Sequence, residues 1–259
     1  MPPPPSCRDR ADVYRRLDLW LGRSPGRELM RLELAQVEAM LEDVFGYYLL
    51  QVGWSANYFD AVEHSRIHHH LALEAAPFST VRGRVIVGDP LTMPIRSESV
   101  DAVFLPHSLD FCRDPRAALA EAERILVPEG RILLLGFNPW SLWGLMAALR
   151  RRSGEVPWCG AFLPVARVDQ WLRGLGFEIE VREFIQWRPP LPHSAALRRL
   201  EFLESLGHGP WSPLAGVYLL RAVKRVAAPT LVGPPWPARP SLVPGGGVEP
   251  TARRQGYGR

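Results

Sequence analysis

Residues Gly88 to Pro139 read GDPLTMPIRSESVDAVFLPHSLDFCRDPRAALAEAERILVPEGRILLLGFNP, and this stretch decides the fold. Within it, "VDAVFLP" is an apolar run of strand length. "DPRAALAEAERIL" is a helix: Ala118, Leu119, Ala122, Ile125 and Leu126 share a face, Asp114 sits where an N-cap belongs, and Pro115 takes the first helical position. A Pro-Glu-Gly turn then leads into "EGRILLLGF", a second apolar strand. Strands apolar on both faces and separated by a helix belong to a parallel sheet covered on two sides.

The flanks extend the alternation. Upstream, "GRELMRLELAQVEAMLEDVF" spaces Leu29, Leu32, Leu34, Val37, Met40 and Leu41 as an amphipathic helix, with Gly46 expected to end it. "YYLLQV" is a short strand, Tyr58 to Glu63 a short helix, Ile67 to Leu73 a second strand and "RVIVG" a third. Downstream follow a helix "ARVDQWLRGLG", a strand "FEIEVREF", a helix "SAALRRLEFLESLG" and a strand "GVYLLRAVKRV". The expectation is an α/β fold with a doubly wound, mostly parallel sheet of about seven strands. Such sheets bind ligands outside the carboxyl ends of their strands. The turn in "LLQVGWSANYF", at Gly53, lies at one of those ends.

Composition bounds the function. The chain has 259 residues, 47% hydrophobic and 22% charged, which suits a soluble domain with a sizeable core. No apolar run reaches the roughly 18 residues of a membrane span, and "MPPPPSCRDR" lacks the apolar segment of a secretory signal. Cys7, Cys112 and Cys159 are scattered without a CxxC pair, so no disulfide or zinc framework is expected and the cytoplasm is the expected compartment. The formal charge is +4, but residues 227–259 hold four arginines against Glu249, a net of +3, which leaves about +1 for the rest. A nearly neutral body argues against nucleic acid as partner without excluding it. The Pro/Gly-rich 227–259 and the first nine residues read as disordered, leaving 10–226 as a single domain.

Five features of Gly88–Pro139 carry a family resemblance: Asp89 after the third strand, "MPI", "SVD" opening the fourth strand, "RDP" capping the helix, and "RILVPEG" before the fifth strand. In that order and spacing they resemble the class I S-adenosylmethionine-dependent methyltransferases, and most closely the small-molecule methylases called methyltransferase type 11. The resemblance extends, with weaker flanks, over residues 47–226. It implies a Rossmann-like methyltransferase fold whose last strand is antiparallel. The implied activity is methyl transfer from S-adenosylmethionine to a small-molecule acceptor, with the oligomeric state left open. Gly53 would be the first glycine of the cofactor turn, Glu74 would take the ribose hydroxyls, and Asp89 the adenine amino group. Leu91 and Met93 would flank the ring. His107, after the fourth strand, would stand near the reaction centre, either as a general base or as a histidine filling a turn, and Asp110 would line the site or orient it.

The chain departs from the family at three positions. Gln51 replaces an acid, and Ser55 and Asn57 replace glycines. Gln51 and Ser55 are still candidate cofactor contacts, since both can hydrogen-bond. A second functional class therefore stays open, a catalytically silent methyltransferase-like module that binds a partner. A dinucleotide-dependent dehydrogenase ranks third, because GxGxxG spacing is absent. His68, His69 and His70 give no metal reading, since successive strand residues face opposite ways. "NPW" at Asn138 to Trp140 is similar to an amine-methylation motif but follows the fifth strand instead of the fourth. "WSLWGLMAAL" reads either as a helix covering an apolar acceptor at the pocket mouth or as plain core packing.

Overall fold

A computed structural model describes residues 9–53, 58–63, 65–75, 84–190 and 214–226. Ser55, Asn57, the helix expected at 194–207 and the terminal segments lie outside them.

The central strands form where the apolar runs are longest. β1 (Phe45–Val52), β2 (Arg66–Glu74), β3 (Arg84–Val87), β4 (Val100–Pro106), β5 (Leu126–Phe137), β6 (Phe177–Ile185) and β7 (Val217–Lys224) make a seven-stranded sheet in the order β3-β2-β1-β4-β5-β7-β6. The first five strands run parallel, and β7 pairs antiparallel with both β5 and β6. The antiparallel closing strand agrees with the sequence reading.

Period-two alternation divides the core between the two faces of the sheet. Leu49, Ala102 and Phe104 pack on one face against α1 (Arg10–Leu21), α2 (Gly26–Leu41), α3 (Phe59–Glu63) and α5 (Leu142–Arg150). Leu50, Val103 and Leu105 pack on the other against α4 (Pro115–Ile125) and α6 (Val165–Gly174). Each fully buried aliphatic side chain contributes about 1.5–3 kcal/mol, so the middle strands anchor the fold.

Local chemistry explains the element ends. Asp114 caps α4 by accepting from the Ala117 amide at 3.0 Å, as its sequence position implies. At the other end of α4, Lys224 Nζ donates to the Glu123 and Leu126 carbonyls at 2.8 and 2.9 Å, placing a cation on the negative end of the helix. Arg221 donates to the Met40 carbonyl at 2.8 Å and to Asp43, tying the end of α2 to β7.

Three expectations need correction. Gly46 does not end α2, which stops at Leu41; Gly46 lies inside β1. Asp101 reaches back to accept from the Tyr47 and Tyr48 amides at 2.8 and 2.9 Å, and a Cβ at Gly46 would collide with it. The Pro-Glu-Gly segment is no turn before β5. It belongs to the strand, as a register irregularity between Val100 and Ala102 of the partner β4, with Glu129 at φ +62°. Cys159 is disulfide-bonded, whereas Cys112 is buried and outside any disulfide. Helix α1 was not anticipated from the sequence at all. Asp9 caps it, accepting from the Ala11 amide at 3.0 Å.

Candidate functional site

Strand register assembles the candidate residues. Val52 pairs with Leu73, so Gly53 and Glu74 come level at neighbouring strand ends, and Glu74 pairs with Val87 just before Gly88 and Asp89. Gln51 pairs with Phe104, which brings the end of β4, and His107 beyond it, to the same edge. Hydrogen bonds tie these ends together. Gly53 donates its amide to the Leu73 carbonyl at 2.7 Å, and Gly88 donates to the Glu74 carbonyl at 3.0 Å. The Ser108 hydroxyl donates to the Val52 carbonyl. β1 leads to β2 on one side and β4 to β5 on the other, so this edge is the point where the winding of the sheet reverses.

Gly53 has φ +68°, a left-handed backbone that favours glycine. A Cβ there would stand 2.5 Å from the Tyr14 hydroxyl of α1. The glycine is thus required by the approach of an aromatic side chain, a contact invisible at the sequence level. Glu74 and Gln51 are buried. Asp89 is half-buried, and its Oδ1 accepts from the Leu91 amide at 2.9 Å. The loop after it is clamped from α4: Glu121 accepts from the Met93 amide at 2.9 Å, and Arg124 donates to the Met93 and Ile95 carbonyls at 3.0 and 2.9 Å. Met93 is buried there.

His107 is the centre of a buried polar cluster. Its backbone is left-handed at φ +52°, held by its amide donating to the Leu135 carbonyl at 3.0 Å. Nε2 lies 2.8 Å from Glu33 Oε1 of α2, and Nδ1 lies 3.2 Å from Asp110 Oδ2. The Tyr58 hydroxyl donates to Glu33 Oε2 at 2.6 Å, and the Phe137 amide donates to Asp110 Oδ2 at 3.0 Å. The imidazole also stacks on Phe137, ring centres 4.1 Å apart. Burial opposes protonation of the ring, but the charges and hydrogen bonds of Glu33 and Asp110 outweigh it and raise its pKa to about 9. Asp110 is raised as well, first by burial, and its Oδ1 has no hydrogen-bond partner among the described residues. Tyr58 is pushed well above its ordinary value by burial and by the Glu33 charge. At neutral pH His107 is therefore an imidazolium with both nitrogens engaged, a form that donates hydrogen bonds and accepts no proton.

Glu33, Tyr58, Tyr14 and Ser108 escaped sequence reasoning. Glu33 alone left a signal: it sits between Leu29 and Val37 at helical spacing, a carboxylate on the apolar face of α2. Other candidates fall away from the cluster. The Asn138 amide donates to the Ala215 carbonyl at 2.8 Å and its Oδ1 accepts from the Trp140 amide at 3.1 Å, so "NPW" shapes a turn. His68 and His69 are exposed and His70 half-buried. Among the described residues no group of three or more metal-ligating side chains converges.

Comparison with known proteins agrees with this layout. The family described as "Methyltransferase domain" matches residues 70–134. The chain is 31% identical over 163 residues to the uncharacterized protein YafS of Escherichia coli, covering 62% of this chain and 65% of that one. It is 33% identical over 93 residues to a malonyl-[acyl-carrier protein] O-methyltransferase of Methylococcus capsulatus, covering 36% of this chain and 34% of the relative. The chain thus spans less than two thirds of either relative's length. Among solved structures, a chain of the "Complex between the Haloferax volcanii Trm112 methyltransferase activator and the putative methyltransferase" superposes with a TM-score of 0.59 at 18% identity, covering 83% of this chain and 99% of that chain. The strand order, the antiparallel closing strand and the matched middle agree: residues 70–134 match the methyltransferase domain family, and the chain has the fold of the solved methyltransferase structures it resembles.

Proposed function

We propose that the chain transfers a methyl group from S-adenosylmethionine to a small-molecule acceptor at the carboxyl edge of β1 to β4. The observation that carries the reading is the levelling of Gly53, Glu74 and Asp89 at three adjacent strand ends beside His107. The donor set fits the cofactor, because Glu74 and Asp89 are acceptors suited to ribose hydroxyls and an adenine amino group. When bound, S-adenosylmethionine supplies an electrophilic methyl group on a sulfonium. Glu74 and Asp89 would hold the nucleoside, and Gln51 and Gly53 would contact the remainder, with Ser55 a candidate outside the described residues; the clamp from Glu121 and Arg124 fixes the Asp89 loop. His107 and Asp110 shape the floor of the reaction centre. As an imidazolium His107 orients neighbours and removes no proton, which methyl transfer from a sulfonium permits because the step depends mainly on alignment.

Calorimetric titration with S-adenosylmethionine and S-adenosylhomocysteine tests the proposal. Micromolar binding of both is expected, with Asp89→Ala weakening it about ten- to a hundredfold, the scale of a lost hydrogen bond to a charged group. Absence of heat with either ligand would sink the activity. An Asp89→Ala variant as tight as the parent would sink the site. A silent partner module is the second reading, motivated by Gln51 and by the closed His107 cluster; turnover of any acceptor in a metabolite screen removes it.

A further inference from the structure

Helix α5 (LWGLMAALR) contains one charged residue, Arg150, at its end. Its inner face is explained by the core: Trp143, Gly144 and Ala147 are buried, and the Trp143 ring packs against Trp20, Phe137 and Trp158. Its outer face has no such explanation. Leu142, Leu145 and Leu149 are 50, 57 and 74% exposed and recur at spacings of three and four, so they form one stripe. Ala148 is exposed among them, and Trp140, 72% exposed, stands just before the helix. Soluble helices put polar residues on such a face. Three consecutive arginines, Arg150 to Arg152, follow directly, with Arg150 lying 3.4 Å from Glu155.

An exposed apolar stripe flanked by a tryptophan and by arginines offers an anionic bilayer an apolar contact together with an interfacial ring and cations for its headgroups. Nine residues cannot span it, and no described helix is long and apolar enough to cross a membrane, so the helix would lie in the interface. Its position in the fold gives the contact a use. α5 leaves the carboxyl end of β5, and the stack Trp143–Phe137–His107, with ring centres 5.9 and 4.1 Å apart, links its inner face to the candidate site. We infer that α5 docks the chain on an anionic lipid surface and presents the site to an acceptor dissolved in that surface. The second clause rests on the methyl-transfer reading; the docking does not.

The test is co-sedimentation of the full chain, without cofactor, with vesicles of phosphatidylcholine alone or with roughly 30% phosphatidylglycerol. Uptake by the anionic vesicles is expected, weakening as salt rises. Leu145→Glu with Leu149→Glu should lower uptake by about tenfold or more. Replacing Arg150, Arg151 and Arg152 by Gln should lower it roughly fivefold per arginine on anionic vesicles and leave neutral ones unchanged. The arginine variant replaces no residue of the hydrophobic core and keeps the test decisive if the glutamate variant misfolds. Equal recovery in the supernatant with both vesicles overturns the inference, as does uptake indifferent to both variants. A dimer in ultracentrifugation that the glutamate variant dissociates, without vesicle uptake, also overturns it by assigning α5 to a second copy. Because cofactor is absent, failure here leaves the calorimetric result standing, and failure there leaves this one.

Discussion

The His107 cluster and the outer face of α5 invert the usual partition of side chains in opposite senses. In the first, Glu33, His107 and Asp110 are buried at 0, 0 and 1% exposure; in the second, leucines face solvent. Both arrangements oppose solvation, but they are held differently. The buried charges are over-determined, since each is engaged by a neighbour from another element, with Tyr58 and the Phe137 amide completing the set. Among the described residues the exposed leucines have no comparable set of partners on their outer side. Polar groups in a core must be satisfied within the fold, so their removal is felt as stability. Apolar groups on a surface need nothing from the fold, so their removal is felt in what they touch.

That contrast can be broken from the buried side first. His107→Ala leaves Glu33 and Asp110 facing each other unscreened, and urea denaturation should show a loss of about 3–5 kcal/mol. Replacing His107 and Glu33 together by leucine should cost less than the sum of the single changes, since the double variant removes the charge as well as its partner.

The next effect is on pH dependence. His107 is raised from 6.5 to about 9 and Asp110 is raised too, so the folded cluster binds protons more tightly than the unfolded chain. The His107 contribution is complete below pH 6.5 and is lost as pH rises through about 9. Its size is about 3 kcal/mol by the usual conversion of pKa to free energy. Melting temperature should therefore fall between pH 7 and 9.5 in the parent and hardly change in His107→Ala; a parent profile flat over that range would disprove the paired imidazolium.

Smaller still is Gly53→Ala. The left-handed backbone and the Tyr14 hydroxyl together predict a loss of about 1–3 kcal/mol, read as a lower denaturation midpoint. A companion Tyr14→Phe change should recover part of it. At the far end of the scale, Leu145→Glu should shift stability by less than about 0.5 kcal/mol, although it places a charge where a leucine stood. A loss comparable to that of His107→Ala would show that the face is covered in solution.

Legibility in the sequence followed the range of the interactions. The Asp114 cap, the β4 run and the α4 face were readable because each is set by residues within a turn or two of one another. Gly46 was misread because its partner, Asp101, lies far along the chain and local rules see only a glycine after a helix. Of the cluster, His107 and Asp110 were visible as neighbours, but Glu33 was not, being 74 residues away from the ring it meets. Even its character changed: a lone histidine near neutral pH suggests a base, whereas two buried carboxylates hold it as a cation.

By itself, then, the sequence determined the doubly wound sheet, its antiparallel last strand and the strand-end positions of Gly53, Glu74 and Asp89. The sheet and its strand ends follow from periodicity and from the rule that apolar runs pair into covered strands, whereas the antiparallel last strand is what the family resemblance implied. Only the tertiary structure decided that Tyr14 fills the space over Gly53, that Glu33 and Asp110 hold His107 protonated, and that α5 turns its leucines outward. Which face of a helix meets the core, and which distant charge meets a ring, depend on the packing of whole elements, and no local pattern encodes that.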